Sequence, residues 1–257
     1  MNVAAIVLAG GYGKIAGQCK VLVNLNGQPM LHHILRNLEQ IPFGQTCLVV
    51  NTEENSGIAI RNSLWDYRGL TWVEQERRCG SGGATRLALM ALDPHICHVL
   101  ITFADMPLWR TETFWAMIRR HIRTKPQLTL VNIPLTKGTR VERYGRILRD
   151  KHGKIMGTIE PWQIPPGQTV KANEVNPSLY VAEVRWLGYA LTKIQPVNKG
   201  DGFPDEYLLQ DIIKVAYKQN VRVEEIRIDE LDQALGVNDE AELEEARAAY
   251  QRMFEQN

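Results

Sequence analysis

Ala4-Ala5-Ile6-Val7-Leu8-Ala9-Gly10-Gly11-Tyr12-Gly13-Lys14 reads as a strand that runs straight into a glycine loop. The unbroken apolar run Ala4–Leu8 shows no polar alternation, which suits a strand buried on both faces of a parallel sheet. Ligands of open α/β sheets bind at the carboxyl ends of the strands. Gly10, Gly11 and Gly13 sit at such an end, where backbone N–H groups can approach a phosphate closely, and Lys14 and Lys20 add positive charge. The loop is neither a Walker A loop nor a dinucleotide fingerprint, because its third glycine is wrongly spaced and no Gly-Lys-Ser/Thr follows.

Working outward, Pro29 opens a helical pattern through Leu31, Ile34, Leu35 and Leu38. Cys47–Val50 reads as a second strand ending at Asn51. Thr71–Val73 is a third, leading to Gly80-Ser81-Gly82-Gly83 and then a helix carrying Leu87, Leu89, Met90 and Leu92. His98–Thr102 is a fourth buried strand, ending in Phe103-Ala104-Asp105, and Phe114–Ile122 an amphipathic helix. This alternation predicts an α/β fold with a mixed, mostly parallel sheet and helices on both faces.

After about residue 135 the texture changes. Tyr144–Leu148 and Lys154–Ile159 read as antiparallel partners around the turn His152-Gly153. Pro161–Gly167 is an expected exposed loop, Val175–Val181 a strand, Tyr207–Tyr217 a helix, Val221–Ile228 a strand and Glu240–Met253 a closing helix. The expectation is a single domain over 1–257, with a core over 1–135 and a part containing a small inserted lobe over 136–257.

Composition narrows the function classes. The 257 residues are 44% hydrophobic and 23% charged with a net charge of +1, so no global field draws the chain to nucleic acid or an anionic membrane. Arg119-Arg120-His121-Ile122-Arg123 is basic but closes a helix, where cations favour the dipole. Cys19, Cys47, Cys79 and Cys97 lie far apart with no CxxC pair, against zinc ribbons and redox dithiols and in keeping with reduced cytoplasmic thiols. His32-His33 has no third ligand at metal spacing. There is no membrane-length apolar run and no signal-peptide pattern.

Asp105 is the sharpest single signal. An acid directly after a buried strand, followed by Met106-Pro107-Leu108, points a carboxylate at the same sheet edge as the glycine loop. Mg²⁺ takes oxygen ligands and needs only one or two protein groups when phosphates supply the rest.

The motifs in order resemble the sugar nucleotidyltransferases, most closely the N-terminal uridyltransferase domain of bifunctional N-acetylglucosamine-1-phosphate uridyltransferases. The resemblance rests on Leu8–Lys20 with Val21-Leu22, Asn26-Gly27-Gln28-Pro29-Met30, Gln75 with Gly80-Ser81-Gly82-Gly83-Ala84, and Ala104-Asp105-Met106-Pro107-Leu108. It continues through Tyr144-Gly145-Arg146-Ile147, Ile159-Glu160, Glu174-Val175-Asn176, Leu209–Ile213 and Gly236-Val237-Asn238, nearly the whole chain. The resemblance implies a Rossmann-like, GT-A-like nucleotidyltransferase fold with a sugar-side lobe. It implies that Leu8, Gly10, Gly11 and Gly13 wrap the nucleotide, that Gln75 reads the base and that Gly80 and Ser81 flank it. Asp105 and Asn238 match the two protein ligands of a catalytic Mg²⁺, and Gly145, Glu160 and Asn176 the residues that hold the sugar. Lys14 and Lys20 would steady the departing pyrophosphate, Lys20 matching the family's phosphate-binding lysine. The implied partners are a nucleoside triphosphate, UTP first, and a sugar 1-phosphate such as N-acetylglucosamine 1-phosphate. No nucleophile or general base is needed, since the sugar phosphate oxygen is already anionic.

The match departs from the family at three places. The glycine loop is shorter and lacks the usual arginine, with Lys14 as a point charge nearby and Cys19 where proline is usual. Asn176-Pro177-Ser178 replaces Asn-Thr-Gly. The β-helical acetyltransferase repeats of the bifunctional enzymes are missing, so acetyl transfer is not expected. Two rivals stay open beside uridylyl transfer. One is a guanylyl- or cytidylyltransferase like the molybdopterin guanylyltransferases, suggested by Leu8-Ala9-Gly10-Gly11. The other is a relative that binds nucleotide sugars without catalysis.

Overall fold

The structure is a computed structural model that describes residues 1–52, 56–198 and 205–255. The run that decides the fold forms β1 (Val3–Leu8), buried along its whole length. Val3, Ala5 and Val7 enter one apolar cluster, while Ala4, Ile6 and Leu8 enter another. A strand side-chain period of two therefore feeds two cores, which is why the run carries no polar residue.

The other strands of its sheet are β2 (Gln45–Asn51), β3 (Leu70–Gln75), β4 (His98–Phe103), β5 (Leu128–Pro134), β6 (Gly145–Arg149), β7 (Ile155–Ile159), β8 (Glu174–Asn176), β9 (Tyr180–Glu183) and β10 (Val223–Arg227). They form one ten-stranded sheet in the order β7-β6-β8-β5-β9-β4-β1-β2-β3, with β10 also paired to β5. β4, β1, β2 and β3 run parallel, so their carboxyl ends share one edge. β9 lies antiparallel between β4 and β5, and β6, β7 and β8 extend the sheet antiparallel at its far end. In it β6 and β7 pair antiparallel, as expected for Tyr144–Leu148 and Lys154–Ile159.

The helices are α1 (Met30–Glu39), α2 (Ser56–Ser63), α3 (Gly80–Met90), α4 (Thr111–Thr124), α5 (Val184–Leu191), α6 (Ile212–Lys218) and α7 (Glu240–Tyr250). α1, α2 and α4 bury Leu31, Ile34, Ile60, Phe114 and Met117 on one face of the sheet. α3, α5 and α6 bury Ala84, Ala88, Trp186, Leu187, Ile212 and Ile213 on the other. α7 joins a third cluster in which Leu243, Ala246 and Val237 meet Ile15, Val23 and Leu25. The end of the chain thus packs back on the segment that follows the glycine loop.

Four readings shift. The strand expected over Val175–Val181 runs along β5 but is broken into β8 and β9. Val175 opposes Ile133 whereas Tyr180 opposes Leu130, so the intervening residues bulge, with Pro177 unable to donate and Ser178 at φ +60°. The helix expected from Tyr207 starts at Ile212, because Tyr207 is extended and its N–H donates to Cys79 O at 3.0 Å. The glycine stretch does not precede α3 but opens it. Gly80 has φ +72°, and a Cβ there would stand 2.5 Å from Tyr207 O. α2 was not anticipated, since Ser56-Gly57-Ile58-Ala59-Ile60 carries little helical pattern.

One pair, a buried His121 beside a half-buried His98, gives the fold a pH signature. His98 Nδ1 and His121 Nε2 are 3.1 Å apart, and His121 Nδ1 lies 2.9 Å from Thr129 Oγ1. Burial, then the neighbouring His98, lowers His121 from its ordinary value to about 4, and burial lowers His98 as well. The unfolded chain therefore binds more protons between about pH 6.5 and 4. Stability is complete above that window and falls through it as pH drops, by up to about 3 kcal/mol for His121 alone. Urea unfolding at pH 7.5, 6 and 5 should show that slope, and His121→Gln should flatten it; equal slopes would contradict it.

Candidate nucleotide and sugar-phosphate site

The loop after β1 leaves the sheet at its carboxyl edge. Ala9 N donates to Val49 O and Ala104 N to Leu8 O, so the ends of β1, β2 and β4 are bonded together. Asn51 Nδ2, at the end of β2, donates to Gly10 O at 3.1 Å and Gly11 O at 3.3 Å. Gln75, at the end of β3, is buried, and its Oε1 stands 2.8 Å from where a Cβ of Gly10 would be. A side chain at position 10 would push the Gln75 amide out of this place, while a Cβ at Gly11 would meet nothing within 4 Å. The Gln75 Nε2 donates to Arg77 O at 3.0 Å and Cys79 Sγ at 3.2 Å, tying down the turn before α3. The Oε1 is left as the acceptor beside the loop.

Three of the expected residues meet at one point. Lys20 Nζ donates to Asp105 Oδ2 at 2.7 Å and to Asn238 Oδ1 at 2.8 Å. Lys20 is placed by its own N–H, which donates to Gly13 O at 3.0 Å, and its stem lies against Gly13. Asp105 comes from the end of β4, and its carbonyl accepts from Val237 N at 2.9 Å. Gly236 N donates to the Tyr144 hydroxyl at 2.9 Å, and that hydroxyl donates in turn to Ala234 O. Burial pushes the Tyr144 phenol up to about 12, which keeps it a neutral donor. Asn238 is turned by Glu242: its N and Nδ2 donate to Glu242 Oε2 at 2.6 and 3.0 Å, leaving its Oδ1 toward Lys20. The buried Glu242 is itself paired with Arg140 and Arg143.

A cleft of about 480 Å³ opens beside this point, lined by Leu8, Gly10, Gly11, Gly13, Lys20, Gln75, Gly80, Ser81 and Asp105 among the expected residues. Lys14 is exposed in the short strand Lys14–Ile15 and does not line it. Tyr12, Arg78, Phe103 and Glu206 line it as well, and the sequence reading did not single them out. A smaller cavity of about 190 Å³ shares Ser81 and Phe103 with the cleft, so the two spaces adjoin. Its other walls include Glu160, Trp162, Ser178 and Gln210.

The three residues expected on the sugar side lie close together. Gly145 opposes Asn176 in the ladder of β6 and β8, and Glu160 follows β7 directly. Glu160 Oε1 stands 2.7 Å from where a Cβ of Gly145 would be. Only Glu160 of the three faces the smaller cavity. Asn176 is buried and turned inward: Nδ2 donates to Tyr180 Oη at 2.6 Å, and Oδ1 accepts from Ser178 N at 3.2 Å. It holds the bulge in place of lining the space. Among the described residues no group of three or more His, Cys, Asp or Glu could hold a metal alone, and no helix is long and apolar enough to cross a membrane.

Comparison with known proteins bears directly on this arrangement. The bifunctional protein GlmU of Geobacter metallireducens is 33% identical, covering 98% of this chain and 51% of that protein. The GlmU of Geobacter sulfurreducens is 31% identical, covering 100% of this chain and 52% of that one. The chain thus spans about half the length of the curated relatives it matches. Among solved structures, the 4-diphosphocytidyl-2C-methyl-D-erythritol synthase of Anaerococcus prevotii shares the fold at a TM-score of 0.68 and 15% identity, over 97% of this chain and 98% of that one. The model of the MobA-like NTP transferase domain matches residues 5–163, from β1 through the glycine loop, Gln75 and Asp105 to just beyond Glu160. The chain belongs to the MobA-like NTP transferase domain family.

Proposed function

We propose that the chain transfers a nucleotidyl group, uridylyl first, from a nucleoside triphosphate to a hexose 1-phosphate such as N-acetylglucosamine 1-phosphate, releasing pyrophosphate. The observation that carries this reading is the convergence of Asn238 with Lys20 and Asp105, the latter two on the wall of a cleft that adjoins a second cavity. Two adjoining spaces suit two substrates that must meet at one phosphorus.

The donor set suits Mg²⁺. Asp105 and Asn238 present hard oxygens to a single cation, here the Lys20 ammonium, and two protein oxygens are what a phosphate-bound Mg²⁺ requires. Bound there, the metal would neutralise charge on the phosphate oxygens. The chain's own groups do the positioning. The Gln75 Oε1 can accept from a base N–H, as uracil, thymine or guanine offers. The bare edge of Gly11 admits phosphate close to the backbone. Lys20 supplies positive charge to the leaving pyrophosphate, and Glu160 accepts from sugar hydroxyls or an acetamido N–H. The sugar phosphate oxygen attacks the α-phosphorus in line with the departing pyrophosphate, and alignment by these contacts supplies most of the acceleration. A guanylyl or cytidylyl donor is the second reading, favoured by the family model that matches.

Glu160→Ala tests the acceptor side. The KM for the sugar phosphate should rise about ten- to a hundredfold, the loss of charge-assisted hydrogen bonds, while the KM for the nucleotide holds within about threefold. An equal rise for both substrates would show a general distortion and remove the acceptor reading of the smaller cavity.

A further inference from the structure

Arg78 stands out among the residues of the cleft. It lies in the turn between β3 and α3 that Gln75 ties down, and its guanidinium carbon is 3.8 Å from the centroid of the Tyr12 ring. Tyr12 belongs to the glycine loop, so Arg78 bridges the two phosphate-facing segments. Many arginines of this chain are matched to carboxylates: Arg61 to Glu74, Arg110 to Glu230, Arg149 to Glu174 and Glu225. Arg78 is half-buried yet has no carboxylate partner among the described residues. An arginine laid on an aromatic face is held by cation–π attraction and keeps its planar N–H edge for another ligand.

Charge in the cleft gives that edge a purpose. Its lining holds two carboxylates, Asp105 and Glu206, and two cations, Lys20 and Arg78. Lys20 is already engaged by Asp105 and Asn238. Without Arg78 the lining would carry net negative charge and repel a polyphosphate. Lys14, the loop's other cation, is exposed and outside the lining.

We propose that Arg78, stacked on Tyr12, is the second cation that grips the triphosphate, in the place expected from the sequence for Lys14. The proposal rests on the nucleotide reading of the cleft. The guanidinium fork binds two phosphate oxygens at once, which a lysine cannot do. Gripping the phosphates beyond the first, Arg78 strengthens the binding of a triphosphate and leaves a monophosphate, which lacks them, almost untouched.

The test is equilibrium binding of UTP, GTP, CTP and dTTP and of their monophosphates by calorimetry, with Mg²⁺, for the wild-type chain and its variants. For the triphosphate bound best, Arg78→Gln should weaken binding roughly ten- to a hundredfold and leave the matching monophosphate within about threefold. Arg78→Lys should recover part of the loss, Tyr12→Ala should share it, and Lys14→Gln should stay within about threefold of wild type. Unchanged triphosphate binding in Arg78→Gln would overturn the proposal, as would an equal loss of triphosphate and monophosphate. A selective loss in Lys14→Gln alone would return the role to Lys14. Wild-type protein that binds none of the triphosphates would overturn the nucleotide reading itself.

Discussion

Asp105→Asn should fold normally and lose turnover by about three orders of magnitude. The substitution keeps size and shape at the end of β4 and leaves the Asp105 carbonyl free to accept from Val237 N. What it removes is the negative charge that opposes Lys20 at 2.7 Å and, in the proposed reaction, holds the divalent cation. A neutral amide oxygen binds Mg²⁺ far more weakly than a carboxylate. The loss should therefore appear in kcat at saturating substrates and recover only in part as Mg²⁺ is raised. The comparison is kcat with and without tenfold more Mg²⁺, beside the thermal midpoint. A midpoint within a few degrees of wild type with turnover within tenfold would show that Asp105 has no part in the chemistry.

Lys20→Met should lower kcat by about a hundredfold or more and strengthen divalent metal binding in the absence of nucleotide. Two effects of opposite sign come from one change. The Lys20 ammonium sits between Asp105 Oδ2 and Asn238 Oδ1 at 2.7 and 2.8 Å, so it competes with any other cation for those oxygens. Removing it leaves the carboxylate uncompensated in a partly buried site, which attracts a divalent ion more strongly. Methionine preserves the apolar stem that lies on Gly13. Mn²⁺ titration followed by electron paramagnetic resonance reads the metal, and pyrophosphate release reads the rate. Weaker Mn²⁺ binding would show that Lys20 helps to build the metal site. Unchanged turnover would show that Lys20 touches no phosphate.

The parallel half of the fold was legible because each strand buried on both faces is an unbroken apolar run ending in a marked residue, Leu8, Asn51 or Phe103. Asp105 was legible for the same reason, as a polar residue where such a run stops, whereas Lys20 was read from its charge near the glycine loop and from the family resemblance. The antiparallel ladder was legible in outline but not in register, since the bulge at Pro177 and Ser178 depends on how β8 and β9 share β5. Arg78 was missed because its significance lies in a contact with Tyr12, 66 residues earlier, which spacing does not reveal. Glu242 was missed because a glutamate in the first turn of a closing helix reads as a dipole complement. Its burial, and its hold on Asn238, appear only when α7 folds back over the loop. Asn176 shows the converse: its motif matched, yet its amide is committed to Tyr180 and Ser178.

The most direct measurement is pyrophosphate release by the wild-type chain with UTP, GTP, CTP or dTTP, each with and without N-acetylglucosamine 1-phosphate or glucose 1-phosphate, in Mg²⁺ and in EDTA. The predicted result is release that requires a triphosphate, a hexose 1-phosphate and Mg²⁺ together, fastest with UTP and N-acetylglucosamine 1-phosphate, and absent in Asp105→Asn. Binding of a nucleotide with no release in any combination would contradict catalysis and leave a protein that holds nucleotides without transferring them.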